Sequence, residues 1–161
     1  MGVNWMNRCR AALVFLLFMA ATASASKDIP EARQISNDPV RSGHYEIYYS
    51  TFNSSFLDPD VAAAYNLERN SRTGILNIAI RDVEKSELGK AVTGRITGET
   101  RTLLSQTSGL NFHEVKEGNA IYYLASFRFS NEETLKFAID ITPEQESQTE
   151  RIKFQHKFYE G

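Results

Sequence analysis

Cysteine, methionine and tryptophan are nearly missing from this sequence. Its 161 residues include one Cys, three Met and one Trp, and all five fall within the first 19 positions. Those positions read as an export leader. Arg8 and Arg10 supply a positive start, residues 11–20 (AALVFLLFMA) an apolar run, and Ala23-Ser24-Ala25 a small-x-small cleavage signal. Cleavage after Ala25 is the expectation, so residues 1–25 form a cleaved signal peptide and a chain of 136 residues remains. That chain has no Cys, Met or Trp at all.

Each absence excludes something. Export leads to a compartment where disulfides form, yet no disulfide is possible, so packing alone must hold the fold. A cysteine nucleophile is excluded. Copper(I) handling through soft sulfur ligands is excluded with it, since both thiol and thioether are gone. The one cysteine, Cys9, precedes the apolar run, where a lipid-anchor cysteine would follow it. The run itself is shorter than the roughly 20 residues a membrane span needs, and no later segment is more apolar. Positive charge is scarce too. The leader removes two of the 18 basic residues, leaving 16 against 20 acidic ones, a net charge of −4. With no Lys/Arg cluster, nothing offers the positive field that a phosphate backbone demands. The expectations are a periplasmic location, no nucleic-acid partner and no stable membrane insertion after signal cleavage.

What is present is alternation. Residues 26–42 carry two prolines and mixed charge and read as an extended lead-in. From His44 onward, apolar residues recur at every second position. Tyr45, Ile47 and Tyr49 share a face, as do Leu76, Ile78 and Ile80, and Val92 and Ile96. Leu110 with Phe112, then Tyr123, Ala125, Phe127 and Phe129, repeat the pattern. Leu135, Phe137, Ile139 and Ile141 follow, then Ile152, Phe154, His156 and Phe158. Lys136, Asp140, Lys153 and Lys157 take the opposite faces. Seven or eight short strands with turns at Glu117-Gly118-Asn119 and at residues 130–133 predict one all-β domain over residues 43–161. Its expected form is an antiparallel immunoglobulin-like β-sandwich with one short helix. The Cys…Trp…Cys marker of true immunoglobulin domains is missing, and a small closed barrel is the alternative.

The helix falls in the stretch "YYSTFNSSFLDPDVAAAYNLERN", residues 48–70. Asp58 is the expected N-cap, Pro59 suits the first helical position, and Asp60 adds negative charge at the positive end of the helix dipole. Asn66 or Asn70 would end it. At about two turns the helix cannot stand alone in water, so it must pack on the sheets, covering one end of the sandwich.

Candidate chemistry is thin. His44, His113 and His156 show no metal-binding spacing, so no metal and no cofactor is expected. No G-x-S-x-G elbow occurs, and "LGKAVTGRITGET" lacks the phosphate-loop spacing. The carboxylate pairs Asp58/Asp60 and Glu132/Glu133 read as a cap and a turn. No catalytic residue is assigned. Tyr48, Phe52 and Tyr122 fall on faces opposite the main apolar pattern, where they either line a groove or lie under covering segments.

The residues "YYSTFNSSFLDPDVAAAYNLERNSRTGILNIAI", "GLNFHEVKEGNAIYYLASF" and "ETLKFAIDI" resemble a family of small exported bacterial proteins catalogued as a domain of unknown function. The pattern F-N-[ST]-x-F-L…A-x-A-Y-x-[LI]-x-R…G-[IL]-L-N-[IV] carries the resemblance. It falls on Asn53, Phe56, Leu57, Ala62, Ala64, Tyr65, Arg69, Gly74, Leu76, Asn77 and Ile78. The resemblance implies a periplasmic immunoglobulin-like sandwich and brings no activity, substrate or cofactor. Its polar members Asn53, Arg69 and Asn77, with the amphipathic Tyr65, are the candidate binding residues. One reading makes them structural: Asn53 at the strand–helix corner, Arg69 on the last helix carbonyls, Asn77 as a bridge to the helix. The other gathers all four around a pocket between helix and sandwich. The function expected is a non-catalytic binding or protein-interaction module whose partner is an envelope protein or a small ligand. The alternatives are a small-ligand or lipid carrier with a pocket beside the helix, and, ranked last, a hydrolase with a dispersed site.

Overall fold

The computed structural model describes residues 38–84 and 89–161. The expected signal peptide, most of the lead-in and Cys9 lie outside the described residues. Period-two alternation becomes ten strands: β1 (Val40–Ser42), β2 (Tyr45–Asn53), β3 (Thr73–Asp82), β4 (Lys90–Ala91), β5 (Gly94–Thr102), β6 (Thr107–Gly109), β7 (His113–Glu117), β8 (Ala120–Arg128), β9 (Glu133–Pro143) and β10 (Glu150–Phe158). Among the described residues, one helix, α1 (Pro59–Ala64), and a 3-10 turn at Ser54–Phe56 complete the set.

The strands make two antiparallel sheets. The first runs β1-β2-β3-β8-β7, with β4 also on β3; the second runs β10-β9-β5-β6. The architecture is therefore an antiparallel, immunoglobulin-like sandwich. Three of the ten strands are only two or three residues long, too short to show periodicity. One of them, β1, falls in the expected lead-in, where Val40 faces Ile47 and Ser42 faces Tyr45. Leu110 and Phe112 are not in a strand. They lie where the chain leaves β6 in one sheet for β7 in the other. Leu110 is still buried, its N–H bonded to the Gly98 carbonyl at 2.9 Å. The β7–β8 hairpin is tighter than expected, with only Gly118-Asn119 between strands and Gly118 at φ +55. That is the position a type II′ turn reserves for glycine.

Aromatic rings lock the two sheets together. Phe127 of β8 meets Phe137 of β9 at 5.1 Å and Phe158 of β10 at 5.0 Å, both edge-on. Tyr49 of β2 stacks on Phe154 of β10 at 4.8 Å, and Phe154 stacks on Phe137 at 4.5 Å. Offset and edge-on rings at these separations add about 0.5–1.5 kcal/mol each beyond simple burial. Gly74 is glycine because Phe127 lies over it. A Cβ there would stand 2.2 Å from the ring, so the two residues, cross-strand partners on β3 and β8, fit only without a side chain on β3.

A polar tie joins the sheets near the opposite end. The Tyr123 hydroxyl of β8 accepts the Gly94 N–H of β5 at 2.9 Å and donates to Glu114 of β7 at 2.8 Å. Burial, opposed by the Gly94 N–H and reinforced by Glu114, pushes the Tyr123 phenol up to about 12. Lys116 first, and Tyr123 second, hold Glu114 below the usual carboxylate range.

The excursion from β2 to β3 is a closed loop. Asp58 caps α1, its Oδ1 accepting the Asp60 N–H at 2.8 Å. At the other end the Asn66 N–H reaches Ala63 and the Leu67 N–H reaches Ala62, with Asn66 left-handed at φ +52. That is a Schellman ending with Asn in glycine's place. Ser54 Oγ then bonds both the N–H and the carbonyl of Asn70, stapling the loop's two ends. The 3-10 turn packs on β3, and Ile75, which points away from the main core, is fully buried. The 3-10 turn thus covers the outer face of the first sheet near one end.

Two outcomes follow from these contacts. Asp58→Ala removes the cap and should cost about 0.5–2 kcal/mol, seen as a lower melting temperature; an unchanged one would contradict the cap's role. For Tyr123, the folded state binds the phenolic proton more tightly than the unfolded chain. Its contribution is full below pH ~10 and is lost as pH rises toward about 12. A phenolate absorbance titration should show a step near pH 12 that disappears in Tyr123→Phe.

Candidate functional site

The four candidate residues do not gather around one pocket. Asn53 ends β2 and donates from Nδ2 to the Tyr159 carbonyl at 2.8 Å, fastening the chain's last residues to the strand–helix corner. Arg69 donates to the carbonyls of Leu57 at 2.8 Å and Ser55 at 3.0 Å. It therefore braces the 3-10 turn and not the last carbonyls of α1. Tyr65 is the C-cap of α1 and half-buried. Asn53 and Arg69 act on the same corner. Asn77 lies apart, in mid-strand, paired with Ser50 on β2 and Leu124 on β8. It makes no bridge to the helix among the hydrogen bonds of the described residues.

Asn77 belongs instead to a groove on the outer face of the first sheet. Tyr48, Tyr49, Ser50, Ala79, Arg81 and Tyr122 line it with Asn77 around a volume of about 250 Å³. Sheet geometry explains the groove. β8 follows β3 only as far as the pair Ile78–Tyr123, and β4 takes over beside Arg81 and Asp82. Between them the Val92 N–H still reaches the Ile80 carbonyl at 3.0 Å, and Ala79 is left without a paired strand residue on that side. Ala79 faces outward with only a methyl group, opposite Tyr48 on β2. A second hollow of about 340 Å³ shares Ala79, Arg81 and Tyr122 and runs on toward Gly89, Ala91 and Glu117. Tyr122 therefore stands as a ridge between two depressions. Of the two readings of the outward aromatics, Tyr48 and Tyr122 line a groove.

Polar contacts fix its rim. Tyr48 donates to Glu46 Oε2 at 2.8 Å, Glu46 pairs with Arg41 at 2.9 Å, and the Arg81 guanidinium lies 5.7 Å from the Tyr48 ring centre. The hydrogen bond to Glu46 raises the Tyr48 phenol above its ordinary value, helped by burial and the Glu46 charge and offset in part by Arg81 and Arg41. Tyr48 is therefore a neutral donor at any physiological pH. The floor is less satisfied. Asn77 Oδ1 is buried and has no hydrogen-bond partner among the described residues. An orphaned buried acceptor costs about 1–3 kcal/mol. Most native buried polar atoms avoid that cost, so its persistence beneath an open groove marks the position. Ala79 and Arg81 were not singled out from sequence. The available signal was a lone alanine in the isoleucine-rich run "GILNIAI", flanked on neighbouring strands by tyrosines.

Two antiparallel sheets packed over a ring-filled core, with a groove on one outer face, define an immunoglobulin-like β-sandwich. Within that class the chain belongs to the DUF4426 family, a domain of unknown function, which it matches over residues 40–161. A DUF4426 family protein from Pseudomonas aeruginosa PAO1 is 33% identical, with a TM-score of 0.67 over 77% of this chain and 95% of that one. FetP from uropathogenic Escherichia coli strain F11, expressed in the periplasm of E. coli, is 12% identical with a TM-score of 0.54, covering 77% and 94%. A copper-bound variant of FetP is likewise 12% identical, with a TM-score of 0.53, covering 77% and 90%. At that identity the likeness is one of fold. No curated protein matches the chain. Among the described residues no helix is long and apolar enough to cross a membrane.

Replacing Asn77 tests the cost at the groove floor. Asn77→Val removes the orphaned acceptor and suits a strand, so it should stabilise the domain by about 1 kcal/mol or more, a rise of several degrees in melting temperature. A lower melting temperature would mean that Oδ1 is satisfied in solution.

Proposed function

We propose that this is an exported periplasmic protein that works by binding another envelope protein through the groove between Tyr48 and Tyr122. The observation that carries the reading is the buried, unpartnered Asn77 Oδ1 beneath an open, aromatic-walled depression. A group kept at a cost to stability is the usual mark of a site under functional rather than structural demand.

Size favours a protein partner over a carried small molecule. Carrier pockets enclose about 300–1,000 Å³ and bury most of their ligand. This groove is about 250 Å³ and open, while the sandwich interior is filled by Phe127, Phe137, Phe154 and Phe158. One side chain of a docked segment fits the space between the tyrosines. Arg81 as a cation would meet acidic groups on its flank, and the Tyr48 hydroxyl, its hydrogen bond already donated to Glu46, would accept from a backbone N–H. The leader in residues 1–25 supports export, and FetP, which shares the fold, was expressed in the periplasm.

The test is capture from an envelope extract at several salt concentrations, comparing wild type with Tyr122→Ala and Asn77→Val, then direct binding of the identified partner. The groove variants should lose a partner that the wild type retains. An identical set captured with equal affinity by all three proteins, or nothing above controls, would overturn the reading.

A further inference from the structure

A second site lies at the opposite end of β2 and β3 from the helix and does not depend on the groove. The register pairs Tyr45 with Asp82, and the ladder continues one step further through the Val83 N–H to the His44 carbonyl at 2.9 Å. That pairing brings the β1–β2 turn, which carries His44, against the end of β3. One donor atom each from His44, Asp82 and Glu84 lies within 4.8 Å of the others. We propose that these three side chains bind a first-row divalent cation of the zinc type.

The chemistry of the donors supports a cation. An imidazole with two carboxylates is a borderline-to-hard set, suited to Zn²⁺ and its neighbours rather than to copper(I). His44 and Glu84 lie nearer solvent, while Asp82 is fully buried, so this carboxylate is held in place at the inner side of the cluster. Its Oδ1 accepts the Glu84 N–H at 3.1 Å, which fixes the carboxylate plane and brings Glu84 alongside. Its Oδ2 lies 4.0 Å from His44 Nε2. That is too long for a hydrogen bond, which would close to about 2.7–3.2 Å. It is close to the separation of two donors that share one ion, about 3–3.5 Å for bonds near 2.1 Å. The His44 ring leans on Tyr45, with centroids 4.1 Å apart. His44 and the exposed Glu84 form an open side through which an ion can enter and keep water.

No spacing rule finds these residues. Metal motifs place ligands a few positions apart on one element. Here two ligands flank Val83 on one strand end, and the third arrives from a turn much earlier in the chain.

The test uses untagged protein stripped with a chelator and titrated calorimetrically with Zn²⁺, with Co²⁺ absorption as the spectroscopic readout. One equivalent should bind, the Co²⁺ spectrum should show nitrogen and oxygen ligation, and Zn²⁺ should raise the melting temperature. His44→Gln and Glu84→Gln should each weaken binding about tenfold or more while leaving the metal-free melting temperature close to wild type; His113→Gln should leave binding unchanged. Asp82→Asn is a weaker probe, because a buried group is altered and the fold itself is at stake. No heat above the buffer blank, or a stoichiometry and affinity retained in the His44→Gln/Glu84→Gln double variant, overturns the proposal.

Discussion

The packing of Phe127 against Gly74 is the contact on which the rest of the structure depends. With no disulfide available, something must set the separation of the two sheets. The ring of Phe127 does so, set against a strand that has given up its side chain and packed edge-to-face with Phe137 and Phe158 of the other sheet. Removing a buried ring of this kind from a core typically costs about 3–5 kcal/mol, a large share of a single domain's stability. Stacking of Tyr49, Phe154 and Phe137 repeats the device on a parallel line. The absence of cysteine and the abundance of phenylalanine are therefore one fact seen twice.

Polar groups then divide by location. At the strand–helix corner most are used, the buried Ser55 Oγ excepted. Ser54 holds both backbone groups of Asn70, Arg69 holds two carbonyls, and Asn53 holds the chain's last residues. Along the outer face of β3 they are not, and Asn77 is the clearest case.

The sheet content, the Asp58 cap and the core faces were legible in sequence because each rests on local periodicity or local capping chemistry. The three shortest strands were not, since two or three residues cannot display a period. Leu110 and Phe112 misled for a related reason: an alternating pair looks the same within a strand and in a crossing between sheets. The candidate residues were legible as unusual polar positions but not as a set. Asn53, Arg69 and Asn77 share a sequence pattern, yet strand pairing sends Asn77 to the middle of a sheet and the other two to its end. The groove depends on where β8 parts from β3, and that parting is a long-range property with no local mark beyond the small side chain of Ala79.

β3 pairs with β2, β8 and β4 at once, more neighbours than any other strand among the described residues. Its backbone amides can open to solvent only when most of the first sheet comes apart, so they belong to the slowest-exchanging class, governed by global unfolding rather than local fraying. The floor of the groove is made from this strand. An occupant resting on Asn77 and Ala79 therefore touches the least yielding part of the molecule. It would meet a preformed surface, lose little to rearrangement on arrival, and register as added stability of the whole domain rather than as the ordering of a loop.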